Sequence, residues 1–345
     1  MYLNRIESTD LFRVIAITAV IAIHTGPFEA SIPIGSQLDL ATLTNQLARF
    51  AVPFFFILSG FFWARKVEAR EELRAATFSI ARRIIFLFFA WSAIYLLPTN
   101  LIDSFDFGVL GPVKKIVWHL NSAVSRPWNT IIQGTKEHLW YLVGLLCSMS
   151  ITALFVWYGQ RIFLMIIAIA FYVIGLAGGA YSATPLGFQS EFNFRNGPFF
   201  SLIFFATGYF LHLKNPGISW FKYGSFIALI GALLHIFEIW ILHAHWNVTM
   251  DHDYVASTYF FGLGVAMIGL SNSSFLNFSR AAEIGPLVVG IYTAHMIFVD
   301  LLKPVDRLLK SSPIWSVTYI ITVFFLSYIF AKMLLRIDFT RKLVS

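Results

Sequence analysis

The chain has 345 residues, of which 58% are hydrophobic and 12% charged, with a net charge of +7. Soluble domains carry about 25% charged residues, so this composition excludes an ordinary soluble protein and is typical of an integral membrane protein. The single cysteine, Cys147, excludes an intramolecular disulfide framework and a cysteine metal cluster.

Apolar segments of roughly 17 to 25 residues, the length that crosses a hydrocarbon core, recur along the whole chain. They are too long for the strands of a membrane barrel, so the sequence predicts an all-α integral membrane protein with about ten transmembrane helices. The predicted spans are 9–27, 45–64, 80–100, 138–158, 161–179, 197–213, 221–243, 254–271, 284–302 and 314–336. We expect one membrane domain over residues 1–345, whose first span is a retained anchor and not a cleaved signal peptide.

The distribution of basic residues predicts the orientation. Most of the 25 Lys and Arg fall on the inner side if the N-terminus is inside, so both termini are expected in the cytoplasm. The positive charge suits anionic lipid head groups or an anionic cytoplasmic ligand, and it requires no nucleic acid.

Three connecting segments are candidates for function. The inner connection 65–83 mixes both charges at helical spacing, which favours an amphipathic surface helix or a positively charged loop. The long outer connection 101–136 either caps an outward-facing cleft or lies against the membrane face. The outer segment Asp251-His252-Asp253 either binds a polar acceptor or is solvated.

Arg13 and His24 bracket an apolar run in the first span. In a helix they are separated by roughly 16 Å of rise and lie on nearly the same face. The run is too short to place both in water, so His24 is expected inside the hydrocarbon layer, where ionisable groups usually face a protein interior or a wet cavity. A neutral histidine can take a proton from a hydroxyl, and arginine is suited to bind phosphate. The alternative is an anchoring arginine and a histidine that hydrogen bonds a neighbouring helix.

The segment RIESTDLFRVIAITAVIAIH, residues 5–24, resembles the opening of the membrane acyltransferase-3 family, whose signature is an arginine and a histidine separated by ten residues. Further segments resemble motifs of that family in the same order along the chain. They are FFFILSGFF (54–62), HLWYLVGLL (138–146), FFATGYFL (204–211) and IYTAHMIF (291–298).

The resemblance implies acyl transfer from acetyl-CoA, or another short acyl-CoA, to a hydroxyl of an extracytoplasmic or lipid-linked glycan in a bacterial inner membrane. It implies that Arg13 binds the CoA phosphates and that His24 is the catalytic base, with no metal. Some relatives carry a C-terminal esterase-like domain, whereas this chain stops nine residues after Arg336. We therefore expect either direct transfer or transfer through a separate partner, such as a glycan-assembly protein.

Other residues are weaker candidates. Arg82 and Arg83 would assist Arg13, although a further arginine that many family members carry after such a pair is absent here. Ser59, beside Gly60, is a candidate for the cofactor channel. The candidates for binding the acceptor or supporting His24 are Glu137, His138, Trp140, Tyr292 and His295. The alternatives are a polar helix start for Glu137 and His138 and an interfacial belt for Trp140.

Two alternative functions stay open. In a transporter, His24 and Glu238 would relay protons or bind a solute. Apart from this interpretation, His235 and Glu238, three residues apart on one helix face, are candidates for a buried polar pair. In an acyl exporter, the enzyme would pass its acyl group to a separate transferase. His243 and His245 point to different sides of a helix and predict no metal site.

Overall fold

The structure is a computed structural model, and it describes residues 6–29, 38–70, 72–106, 108–214 and 216–344. Within these residues the regular structure is helical and no β-strand occurs. The α-helices follow in chain order: α1 (Glu7–Thr25), α2 (Leu40–Ala48), α3 (Ala51–Arg70), α4 (Leu73–Ile94), α5 (Leu101–Phe105), α6 (Gly111–Ser125), α7 (Pro127–Gln133), α8 (Trp140–Trp157), α9 (Arg161–Gly178), α10 (Pro198–His212), α11 (Ser219–Trp246), α12 (Thr258–Leu270), α13 (Ser279–Ile284), α14 (Val288–Leu309), α15 (Pro313–Arg336) and α16 (Asp338–Arg341).

Each predicted span coincides with a helix. In the described part of the chain, eight helical segments are at least 18 residues long and apolar enough to cross a membrane. The two remaining spans correspond to α10 and α12, which are apolar but only 15 and 13 residues long. The all-α architecture of a membrane protein is thereby confirmed, while the number of spans and the position of the termini stay predictions.

The inner connection 65–83 differs from the prediction. Helix α3 continues to Arg70 and α4 begins at Leu73, so a separate surface helix is wrong. The segment is rich in Glu, Arg and Ala, which favour helix and extend both spans. The Arg74 guanidinium lies over the Trp157 ring at 4.0 Å, so the cation packs on an apolar neighbour. Glu71 lies outside the described residues.

The helices group into two compact units, each assembled from separate stretches of the chain. Unit 1 takes Met1–Ala16, Gln46–Arg83 and Gly144–Gly285, and unit 2 takes Ile17–Asn45, Ile84–Val143 and Pro286–Ser345. Helices α1, α2, α4 and α8 contribute residues to both.

In unit 1, two glycines allow α3 and α10 to cross with their backbones in contact. A Cβ atom on Gly60 would lie 2.0 Å from the Phe205 carbonyl oxygen, and one on Gly208 would lie 1.9 Å from that of Ile57. Small residues at helix crossings are the usual means of close packing in membranes. Gly60 and Gly208 belong to two of the family-like segments, so these segments have a packing role.

In unit 2, α14 packs against α15. The Tyr319 hydroxyl donates to the Val299 carbonyl at 2.8 Å, and a Cβ on Gly290 would lie 2.9 Å from that of Ala331. The connection 101–136, which is predicted to lie outside, contains α5, α6 and α7, and an ion pair from Asp103 to Arg307 ties α5 to α14. Helix α14 is therefore held on two sides, which fixes the side chains that it buries.

Candidate active site

Three histidines from distant parts of the sequence meet in unit 2. His24 lies in the last turn of α1, His138 in a 3-10 turn (Glu137–Leu139) before α8, and His295 in α14. The ring centres of His295 and His24 are 5.2 Å apart, those of His138 and His295 are 5.1 Å apart, and those of His24 and His138 are 6.3 Å apart. We call these three residues the histidine cluster.

Tyrosines enclose the histidine cluster. The Tyr95 ring lies 5.2 Å from the His138 ring, and the Tyr292 ring lies 5.4 Å from it. The Tyr292 hydroxyl donates to the His138 carbonyl, and the Tyr95 hydroxyl donates to the Thr293 carbonyl at 2.6 Å. These bonds tie the 3-10 turn and α4 to α14. The positions of the rings are therefore set by helix packing and not by a mobile loop.

The hydrogen bond of His295 defines its tautomer. Its Nδ1 lies 2.6 Å from the Tyr292 carbonyl oxygen, which can only accept. Nδ1 therefore carries the proton, and Nε2 of the neutral ring has a lone pair. His295 is completely buried, and its Nε2 has no hydrogen-bond partner among the described residues. The ring is thus an acceptor inside the cluster.

His138 is the least satisfied member of the cluster. Its side chain is buried, and neither Nδ1 nor Nε2 makes a hydrogen bond within the described part of the chain. A buried polar group left unpaired costs about 1–3 kcal/mol. Such a group in a native structure has a specific cause, such as strain, a catalytic role or a bound water or ion.

An ion pair supports the turn that carries His138. The Lys136 ammonium lies 2.6 Å from an Asp300 carboxylate oxygen, which also accepts from the Thr99 hydroxyl at 2.5 Å. This ion pair connects Lys136, the residue before the 3-10 turn, to Asp300 of α14. Among the described residues, no group of three or more His, Cys, Asp or Glu side chains is arranged to hold a metal ion.

The structure brings some of the predicted site residues together and leaves others apart. His24, His138, Tyr292 and His295 lie in one group of contacting rings. Trp140 is buried at the start of α8, and the side chain of Glu137 is exposed. The sequence reasoning did not find Tyr95, Lys136 and Asp300. An acidic residue near the end of an apolar span was a usable signal for Asp300.

Arg13 lies on the same continuous helix as His24. Its guanidinium donates to the Asp10 carboxylate at 3.0 Å and lies 5.0 Å from the centre of the Phe62 ring. The Arg13 side chain is 30% exposed and Asp10 only 1%, so the carboxylate anchors a cation that still reaches solvent. Ile17 and Val20, which lie between Arg13 and His24 on that face, are buried.

The remaining donor-site candidates lie in unit 1. Arg82 and Arg83 are exposed on α4, and neither forms an ion pair with another described residue. Ser59 is half-buried on α3, next to the glycine at the crossing with α10. Their binding roles stay predictions.

The outer Asp251-His252-Asp253 segment is fastened to unit 1. Arg49 bonds both carboxylates at 2.8 Å, and Arg195 bonds Asp253 at 3.1 Å. Burial raises the pKa of Asp253, but the Arg195 and Arg49 cations outweigh burial and hold that pKa below its ordinary value. His252 is buried. The segment as a whole is therefore not simply solvated.

The predicted pair of His235 and Glu238 does not form. His235 bonds Thr258 and Gln46, each at 3.0 Å. Glu238 instead accepts from the backbone N–H of Ala256 and of Ser257, each at 2.8 Å, and from the Tyr181 hydroxyl. The Glu238 carboxylate caps the turn before α12, and the two backbone N–H groups satisfy it better than one histidine would. The prediction of this pair was wrong.

The chain is similar to proteins of enterococci. An amino-acid racemase of Enterococcus faecalis is 24% identical over 351 residues, which cover 97% of this chain and 46% of that protein. A serine/alanine racemase of Enterococcus gallinarum is 31% identical over 248 residues, which cover 66% of this chain and 32% of that protein. The chain spans less than half the length of these curated relatives.

No solved structure matches the chain at a significant level. The family described as an acyltransferase domain matches residues 6–332, which is nearly the whole chain and includes all three members of the histidine cluster. The chain therefore belongs to the acyltransferase-3 family, and the acyltransferase domain occupies almost its entire length.

Proposed function

We propose that the chain is an O-acyltransferase of the bacterial inner membrane. It takes an acetyl or other short acyl group from acetyl-CoA on the cytoplasmic side and transfers it to a hydroxyl of an extracytoplasmic or lipid-linked glycan. The observation that carries the proposal is the placement of His24 in a cluster with two other imidazoles, 5.2 Å from the ring of His295. A neutral imidazole held in such an environment is suited to general-base catalysis.

Arg13 is proposed to bind the phosphates of the donor. Its cation is anchored by Asp10 and remains partly exposed, which suits a charge-assisted bond to phosphate. Helix α1 rises roughly 16 Å between Arg13 and His24, comparable to the reach of the pantetheine arm. Arg82 and Arg83 would contact further phosphates, and Ser59 would lie along the arm.

The reaction requires one proton transfer in each direction. His24 takes the proton of the acceptor hydroxyl while the hydroxyl oxygen bonds to the thioester carbonyl carbon. The carbon–sulfur bond then breaks, and the CoA sulfur receives the proton from His24. The products are an ester and free CoA, and no redox partner is consumed.

The proposed acceptor is a glycan hydroxyl, as the resemblance to the acyltransferase-3 family implies. Purified protein in nanodiscs, acetyl-CoA labelled in the acetyl group, and lipid-linked or polymeric glycans test the proposal directly. We expect label in an alkali-labile ester on the glycan. Label that stays in acetyl-CoA with every acceptor would overturn the proposal.

The names of the relatives favour a second candidate, in which the helices handle a small amino acid. Serine would then be the acceptor through its hydroxyl, or the solute of a transporter. Glu238 is a weak proton relay in such a transporter because its oxygens already accept from the turn before α12. Uptake of labelled serine into proteoliposomes without acetyl-CoA would support transport, and labelled O-acetylserine would support serine as acceptor.

A further inference from the structure

One N–H group of the histidine cluster makes no hydrogen bond to another described residue. A neutral imidazole has one N–H and one lone pair. Neither ring nitrogen of His138 has a hydrogen-bond partner among the described residues, so its N–H is unpaired in either tautomer. The Thr293 carbonyl lies near this ring and accepts from the Tyr95 hydroxyl at 2.6 Å, and neither ring nitrogen of His138 makes a hydrogen bond with it.

The other two histidines are not equivalent to His138. The N–H of neutral His295 is already bonded to the Tyr292 carbonyl, so only its lone pair is left. His24, as the base of the proposed function, must present a lone pair to the acceptor hydroxyl. Of the three imidazoles, His138 is the one that can donate a hydrogen bond to a substrate.

The tetrahedral intermediate of acyl transfer requires such a hydrogen-bond donor. When the hydroxyl oxygen attacks, the carbonyl electron pair moves onto the thioester oxygen, and this oxyanion needs N–H or O–H donors aimed at it. His24 and His138 would contact two different oxygens that are bonded to the same carbon, so their rings must lie near each other. Their ring centres are 6.3 Å apart.

We propose that His138 is a catalytic residue that donates its ring N–H to the thioester oxygen and stabilises the oxyanion of the tetrahedral intermediate. The inference rests on the proposed function and names the group that stabilises its transition state. On collapse of the intermediate the electron pair reforms the carbonyl, the carbon–sulfur bond breaks, and CoA leaves with the proton held by His24. His138 keeps its proton throughout.

The experiment measures steady-state acetyl transfer by purified H138A and H138Q, with His235→Gln as the matched control. His235 is also completely buried, but it lies in unit 1 and bonds Gln46 and Thr258. We expect His138→Ala to lower kcat by about 10²–10³-fold, the usual loss for one oxyanion donor. The KM for acetyl-CoA should not change. H138Q retains an N–H donor and should recover part of kcat. H235Q should lower the melting temperature but not the kcat of the folded protein.

Three results would overturn the inference. If wild-type protein transfers acetyl and His138→Ala does so with an unchanged kcat, His138 is not the donor, while the proposed function stands. If the measured rate of His138→Ala falls only in proportion to the loss of folded protein, as we expect for H235Q, the role of His138 is structural. If wild-type protein transfers no acetyl to any hydroxyl, the proposed function fails and this inference fails with it.

Discussion

The ring of His24 lies 5.2 Å from the ring of His295, whose one N–H is bonded to the Tyr292 carbonyl at 2.6 Å. His295 can therefore only accept, through Nε2. A neighbouring acceptor of this kind is suited to hold an imidazole in one tautomer, with the lone pair of its other nitrogen available to a substrate. His24, the histidine of the family-like signature, therefore has a structural partner, His295, that lies far away in the sequence.

Replacing His24 by alanine should strongly slow acetyl transfer. A general base contributes about 10²–10⁴-fold to the rate, so kcat should fall by that factor. Acetyl-CoA binding and the amount of protein in the membrane should be unchanged, because His24 is half-buried and its loss leaves a small cavity. Transfer by the variant at the wild-type rate would remove His24 from the mechanism.

Replacing Arg13 by alanine should weaken donor binding without abolishing the chemistry. Hydrogen bonds to charged groups are worth about 1.5–3 kcal/mol, so the KM for acetyl-CoA should rise by about 10- to 100-fold. Asp10→Asn should have a smaller effect in the same direction, because the carboxylate bonded at 3.0 Å orients the guanidinium. Isothermal titration with CoA measures both effects.

Arg161→Ala is the matched control for Arg13. Arg161 is also in unit 1, at the start of α9, and its guanidinium lies 5.9 Å from the Tyr209 ring. It should leave CoA affinity unchanged. Equal CoA affinity in wild type, Arg13→Ala and Arg161→Ala would make Arg13 a topological anchor.

The positions of the helices could be predicted because each apolar run has the length that a membrane crossing requires. The end of α3 could not be predicted in this way. Arg70 lies in a helix-favouring segment, and its local propensity extends the helix beyond the apolar part of the span. The pairing of His235 with Glu238 was mispredicted because spacing on one helix shows a shared face but not the groups on α12 that compete for each side chain.

The three members of the histidine cluster were predicted one at a time, from motifs and from their expected depth in the membrane, whereas Tyr95, Lys136 and Asp300 were not predicted. The contact of the three histidines was not predicted either, because His24, His138 and His295 meet only through the packing of α1, the 3-10 turn and α14. Likewise, the tautomer of His295 depends on a backbone carbonyl that no sequence pattern reveals.

Gly60→Ala should destabilise unit 1. The new methyl group would lie 2.0 Å from the Phe205 carbonyl oxygen, so α3 and α10 must move apart. Overpacking of this kind costs about 1–3 kcal/mol and should lower the melting temperature in detergent. Gly217→Ala is the control, because a Cβ atom there meets nothing within 4 Å. Equal melting temperatures for the two variants would show that α3 and α10 do not cross at this glycine.

The buried His252 should make stability depend on pH. Burial lowers the pKa of His252; Arg49 acts in the same direction, and Asp251, Asp253 and Glu238 oppose it only in part. Below about pH 6.5, the ordinary pKa of histidine, His252 binds a proton in the unfolded chain but stays neutral in the folded chain until the pH reaches its lowered pKa. The contribution of neutral His252 is therefore complete above that pH and is lost as the pH falls toward the folded-state pKa.

His252→Gln removes this titration while keeping a polar side chain. Melting temperatures measured from pH 8 to pH 5 should fall less steeply for H252Q than for wild type, so the two curves should converge as the pH falls. His245→Gln, at an exposed histidine of the same unit, should run parallel to wild type. A curve for H252Q that also runs parallel to wild type would mean that His252 takes up its proton equally well in the folded and unfolded protein.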